Sequence, residues 1–297
     1  MLKIIIINHT FQKPEFCKRW EMLANNHKDL DITLLAPIKW EWGKGKTLTY
    51  GKIFEVNGKE LEKENFRIHL IDTKEDCLGE WTSKKLEEEI QRICPDVVYF
   101  IGGHTAAPLM QIIKLKKKYH YNNMRIIAFS MRGHTPTIDF KKDEAGIKKY
   151  INTLGKRLIL GPRVKKCNKY CDAIFCHYPD AYKAFRDEGY NKSLYIQTQV
   201  GVDPDIFAPN AEKRKKIREK YILGDAFVFG SASRFHVSKG LHEIIQALPE
   251  EGNWKYLMMG WGREDEVESI KKEIKNRHLE DKIILTGYID NWNDMAA

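Results

Sequence analysis

The chain has 297 residues, of which 42% are hydrophobic and 31% charged, and its formal net charge is +9. That size and balance leave room for two cored domains and exclude a fibre, a disordered tail or a miniprotein. Six irregularly spaced cysteines exclude a disulfide framework, and the opening apolar run is too short for a signal peptide or a membrane span, so a cytoplasmic location is expected.

Strand-like and helix-like segments alternate from the first residues. Strands are expected at Lys3–Ile7, Asp31–Leu35, Arg67–Ile71, Asp96–Ile101, Arg125–Ser130, Ala173–Cys176 and Leu194–Gln197. Between them Pro14–His27, Ser83–Cys94 and Ala107–Lys118 read as helices, with Leu86, Ile90 and Ile93 forming a buried stripe. Trp40–Gly58, rich in Trp, Gly and Lys, reads as a loop or hairpin. The alternation predicts α/β architecture, a parallel sheet covered by helices on both faces, with a first domain over residues 1–200. No internal repeat or low-complexity linker interrupts it.

Ligands in such sheets bind outside the carboxyl ends of the strands, and three loops of the first domain qualify. Asn8-His9-Thr10 follows the first strand. Gly102-Gly103-His104 follows the fourth, and its paired glycines suit either close approach to a ligand or a tight turn. Arg132-Gly133-His134 follows the fifth. Further on, Cys167, Cys171, Cys176 and His177 raise the question of zinc, but the segment reads as a helix end running into a strand, without paired knuckles. No metal site is expected, and no Asp-x-Asp stands at the end of a predicted strand.

The second domain is expected over residues 201–297, with strand–helix units opening at Phe227, Lys255 and Lys282. Phe227–Ser233 reads as a buried strand, and Leu241, Ile244, Ile245 and Leu248 recur at the spacing of a helix face. The six-residue turn between them starts at Arg234 and ends at Lys239, with Gly240 next. A helix start offers unpaired N–H groups, glycine permits close approach, and two cations of different geometry suit a diphosphate. Gly260-Trp261-Gly262 ends the next strand.

Together, Gly201-Val202-Asp203 with Phe207 and Pro209, Arg234 with Lys239-Gly240, and Gly260 with Gly262 resemble family 4 glycosyltransferases of the GT-B fold. The resemblance covers most of the chain, densest from about residue 94 to residue 290. It implies two Rossmann-like domains with parallel sheets, a cleft between them, and retaining transfer from a nucleotide diphosphate sugar such as a UDP- or GDP-sugar, with no metal or other cofactor. In that family the Arg-Lys turn holds the donor diphosphate, and Gly260 and Gly262 would make room for the nucleotide, a tight turn being the other reading. Gly102 and Gly103 would approach the donor, and Arg132 or His134 would serve the reacting centre. The same resemblance places Lys169–Cys176 at a strand, which makes Cys171 and Cys176 buried fillers.

A complete family member continues with more strands and an E-x7-E carboxylate motif, so the second domain is expected to be incomplete. The alternative function is then a truncated, non-catalytic remnant that binds a nucleotide or a membrane. Residues 101–200 carry 19 Lys and Arg against 7 Asp and Glu. Lys114–Lys118 and the basic run from Lys148 to Lys166 could meet an anionic membrane or belong to a solvated helix face. The expected acceptor is a glycan or lipid-linked glycan in polysaccharide biosynthesis, and no nucleic-acid motif is present.

Overall fold

In a computed structural model of the chain, the residues described are 1–12, 14–41, 53–55, 61–75, 80–130, 160–197, 201, 203–205 and 207–289. They form two compact units, Met1–Gln199 and Val200–Ala297.

The first unit is built on an eight-stranded sheet. In chain order its strands are β1 (Leu2–Ile7), β2 (Leu30–Pro37), β5 (Leu61–Glu62), β6 (Phe66–Ile71), β9 (Val97–Ile101), β10 (Arg125–Ser130), β11 (Ala173–Cys176) and β12 (Ser193–Ile196). They lie in the order β12-β11-β10-β9-β1-β2-β6-β5, parallel throughout except for the edge strand β5. β1 pairs with β2 on one side and β9 on the other, so the winding reverses there, at the switch point of a doubly wound sheet. Two short antiparallel pairs, β3 (Lys39–Glu41) with β4 (Ile53–Glu55) and β7 (Lys74–Glu75) with β8 (Trp81–Thr82), complete the strands among the described residues of this unit.

Why β1 is an unbroken apolar run follows from this arrangement, because successive side chains point to opposite faces and both faces are covered. Ile5 and Ile7 enter one core with Leu86 and Ile90 of α2 (Lys84–Ile93) and Leu109 and Ile112 of α3 (Ala107–Lys118). Ile6 enters a second core with Cys17 and Ala24 of α1 (Pro14–Asn26). Cys167 and Cys171, at the end of the helix α4 over residues 160–170, and Cys176 are fully buried in the first core, the first two with sulfurs 3.6 Å apart. They fill space there, and no group of three His, Cys, Asp or Glu could hold a metal among the described residues. α5 (Pro179–Asp187) closes this face, and Phe185 enters the core.

The second unit opens with α6 (Ala211–Lys220), capped by the Asn210 side chain, which accepts from the Lys213 N–H at 2.9 Å. Three parallel strands follow in the order β13 (Phe227–Ala232), β14 (Trp254–Met259), β15 (Ile283–Gly287). On one face α7 (Leu241–Ala247) and α8 (Glu264–Asn276) bury Leu241, Ile245, Ile270 and Ile274 against Tyr256 and Met258. Gly201 and Asp203 of the sequence motif lie at the start of this unit.

Candidate functional site

The turn after β13 is held from both ends. Phe235 is buried in the core of the second unit, and its N–H donates to the Trp261 carbonyl at 2.7 Å, while the Ser233 N–H donates to the Met259 carbonyl at 3.0 Å. Arg234 therefore sits between two anchored neighbours. Beyond it, His236 bonds Ser238 through Nδ1 at 2.8 Å, and its Nε2 lies 3.9 Å from Glu266. Val237–Lys239 make one turn of 3-10 helix ended by Gly240, whose φ of 65° links it to α7. Lys239 is exposed and holds no ion pair among the described residues. Arg234 and Lys239 thus bracket one short, hydrogen-bonded turn, with the first N–H groups of α7 beyond it.

The sequence suggested Gly240 for close backbone approach to a ligand, and the structure adds a conformational cause. A β-carbon there would be 3.7 Å from Glu243 Oε2, so space is not lacking and the left-handed φ is what selects glycine. The same distance shows a carboxylate of the chain itself folded toward the start of α7. Glu266, unnoticed in the sequence, is the other carboxylate of the site. It caps α8 by accepting from the Arg263 N–H at 3.2 Å, and Arg263-x-x-Glu266 has the three-residue spacing of a capping pair.

Gly260 and Gly262 are required by the protein's own backbone. At φ 145° a β-carbon on Gly260 would stand 1.8 Å from the Ser233 carbonyl oxygen, and one on Gly262 would stand 2.6 Å from that of Phe235. Their smallness lets the loop after β14 close on the turn that carries Arg234, with Phe235 and Gly262 forming a parallel bridge. In unit two the structure therefore brings Arg234, Lys239, Gly240, Gly260 and Gly262 into one neighbourhood.

In the first unit the loops after β1 and β9 lie at the switch point. Asn8 is buried and accepts from the Thr10 N–H at 2.8 Å. Burial lowers the His9 pKa to about 4, so its ring is neutral at physiological pH. The Gly102 N–H donates to the Phe129 carbonyl of the neighbouring strand at 3.0 Å, and Gly103 opens a tight turn, its carbonyl accepting from the Ala106 N–H at 2.9 Å. His104, buried, lies with Nδ1 3.4 Å from the Ser130 hydroxyl. The start of α3 is taken by Glu80, which accepts from the Ala107 N–H at 2.7 Å and pairs with Arg163 at 3.0 Å. Arg163 also donates to the Thr105 carbonyl at 3.0 Å. Arg132 and His134 lie outside the described residues.

Three comparisons bear on these two constellations. Residues 212–297 match the family of glycosyl transferases group 1. A 50-residue stretch is 48% identical to a GDP-mannose-dependent alpha-(1-6)-phosphatidylinositol monomannoside mannosyltransferase of Mycolicibacterium smegmatis; it spans 17% of this chain and 13% of that protein. Among solved structures, HepE of Anabaena in complex with UDP and glucose superposes over 100% of this chain and 72% of its own, with TM-score 0.60 and 16% identity. A glycosyltransferase from Rickettsia africae gives TM-score 0.60 at 17% identity over 99% of this chain and 70% of its own. The catalytic domain of starch synthase IV from Arabidopsis thaliana, bound to ADP and acarbose, gives 0.58 at 11% over 100% and 76%. At these identities the structural likeness establishes the fold, the GT-B fold that the motifs implied.

Proposed function

We propose that this chain, a group 1 glycosyl transferase by its residues 212–297 and GT-B in fold, moves a sugar from a nucleoside diphosphate sugar to a hydroxyl of a glycan or glycolipid acceptor. The finer reading is family 4 chemistry, with retention at the anomeric carbon and no metal. One observation carries the donor-site reading: the turn that places Arg234 and Lys239 is anchored by Phe235 in the core and by the glycines after β14; retention rests on the family resemblance alone.

As the anomeric C–O bond breaks, its electron pair goes to the leaving diphosphate oxygen. Cations already fixed beside that oxygen stabilise the transition state more than the ground state, which is where rate enhancement comes from. A divalent ion would meet the same charge, so two protein cations make it dispensable. For the reacting centre itself, Arg132 and His134 are the proposed residues, on the strength of the family resemblance. The mycobacterial relative is GDP-mannose-dependent and the Anabaena structure holds UDP, so both nucleotides are candidates.

Calorimetric titration with UDP, GDP and ADP, with and without magnesium, tests the site. Wild type is expected to bind one of them without metal, and Lys239→Ala to lose about 1.5–3 kcal/mol of that binding. Unchanged affinity in the variant sinks the assignment. Proton NMR of fresh product then reads the anomeric configuration, and inversion would remove the family 4 reading.

A further inference from the structure

Between α3 and α4 the first unit has a groove of about 920 Å³, well within the range of ligand sites. Lys114, Lys117 and Lys118 line it from α3, and Arg163, Lys165, Lys166 and Lys169 from α4, with no acidic residue in the lining among the described residues. Two of these cations are neutralised at the groove's margins, Arg163 by Glu80 and Lys118 by Glu87 at 2.7 Å. The other five hold no ion pair among the described residues. The floor between them is apolar, from Met110, Ile113 and the Tyr170 ring.

We infer that this groove binds a linear polyanionic glycan, a chain with a carboxylate or phosphate on successive sugars, and that such a glycan is the acceptor of the transferase proposed above, on which reading this step rests. Like charges facing one another across a concave floor cost free energy unless an anion lies between them. Lysines supply mobile point charges suited to anions repeated along a chain, and an apolar floor suits the flat face of a sugar. The direction is fixed by Arg163, which bonds the Thr105 carbonyl in the loop after β9. One end of the groove thus adjoins the carboxyl end of the sheet, and the other reaches Lys117 and Lys169, a run of about 16 Å along eleven residues of helix.

Two other polyanions fit less well. Membrane-surface helices present large apolar side chains to the acyl region, and none of the lining residues is an exposed large hydrophobic. Single-stranded nucleic acid stacks successive bases on a series of aromatic faces, and the described lining offers a single aromatic, Tyr170.

The test titrates the full chain with tetragalacturonate, with neutral maltotetraose, and with phosphatidylglycerol vesicles, at low and high salt. The expected result is salt-sensitive binding of tetragalacturonate only, weakened at least about tenfold in Lys117→Glu/Lys169→Glu. Nucleoside diphosphate affinity, measured on the same samples, should stay unchanged and reads the transferase site separately. If the charge-reversed variant fails to fold by circular dichroism, Lys165→Gln/Lys166→Gln replaces it with the same expected direction. No binding of tetragalacturonate, equal binding of maltotetraose, binding to vesicles alone, or unaltered affinity in the folded variant overturns the inference.

Discussion

A β-carbon at Gly260 has nowhere to go, because the Ser233 carbonyl oxygen already occupies a point 1.8 Å from it and φ is 145°. Gly240 differs in kind: its φ of 65° is unfavourable for other residues but its surroundings are open. Gly240→Ala should therefore cost about 1 kcal/mol, whereas Gly260→Ala should cost about 2–4 kcal/mol, since backbone must move and the bridge to Phe235 opens. Urea unfolding of the two variants measures both, and equal losses would mean that the loop after β14 relaxes freely. The sequence showed Gly240 at the start of a helix and Gly260 in a spaced pair at the end of a strand. It did not show the reason for Gly260, because Ser233 is remote along the chain and meets it only when β13 and β14 pair in register, Ser231 opposite Met258 and Ala232 opposite Met259.

A one-sided apolar stripe made α2 legible before the structure, and the lack of one hid α6. α2 was predicted from Leu86 and Ile90, which are fully buried. α6 went unread because it buries no side chain, and its stability comes from the Asn210 cap and from Arg218 bonding the carbonyls of Gly224 and Ala226 at 2.7 and 2.8 Å. β5 went unread because two residues carry no period, yet it supplies one wall of a charged cluster. His69 of β6 lies 2.8 Å from Glu89 of α2 and 2.7 Å from Glu62 of β5, with Arg92 on Glu89 at 2.8 Å and Arg67 on Glu62 at 3.2 Å.

The hydrogen bond to Glu89 is the main cause raising the His69 pKa, and that to His69 the main cause lowering Glu89 to about 2. A raised His contributes stability that is full below its unfolded value, about 6.5, and fades as pH rises through the folded value. A depressed Glu contributes stability above about 4.5 that fades as pH falls toward 2. The cluster is therefore strongest between about pH 4.5 and 6.5. His69→Gln should cost about 1–2 kcal/mol at pH 6 and less at pH 9, seen as a converging pair of urea midpoints. A difference independent of pH would mean that His69 acts through packing alone.

At the scale of the whole molecule, the alternation of elements predicted parallel sheets, and pattern alone could not give their order. Where β1 sits relative to β2 and β9 depends on which crossovers wind in which direction, and that choice creates the switch point. Charge follows the same division as structure: residues 1–199 carry 35 Lys and Arg against 24 Asp and Glu, residues 200–297 carry 15 against 17. The cations of the proposed diphosphate site thus stand in an almost neutral unit, where each counts individually, and the groove lies in the strongly basic one. Two ligands should then leave two separate footprints in hydrogen exchange. A bound nucleoside diphosphate should slow exchange at 233–247 and 260–266, because ligation removes local opening of the turn and of the helix starts around it. A bound polyanionic tetrasaccharide should instead slow exchange along 107–118 and 160–170. Peptide-resolved mass spectrometry distinguishes them. Diphosphate protection at Gly102–Ala106 would give that turn a ligand role beyond the backbone bonds that already account for its shape, and diphosphate protection confined to 107–118 would move the anion site out of the second unit altogether.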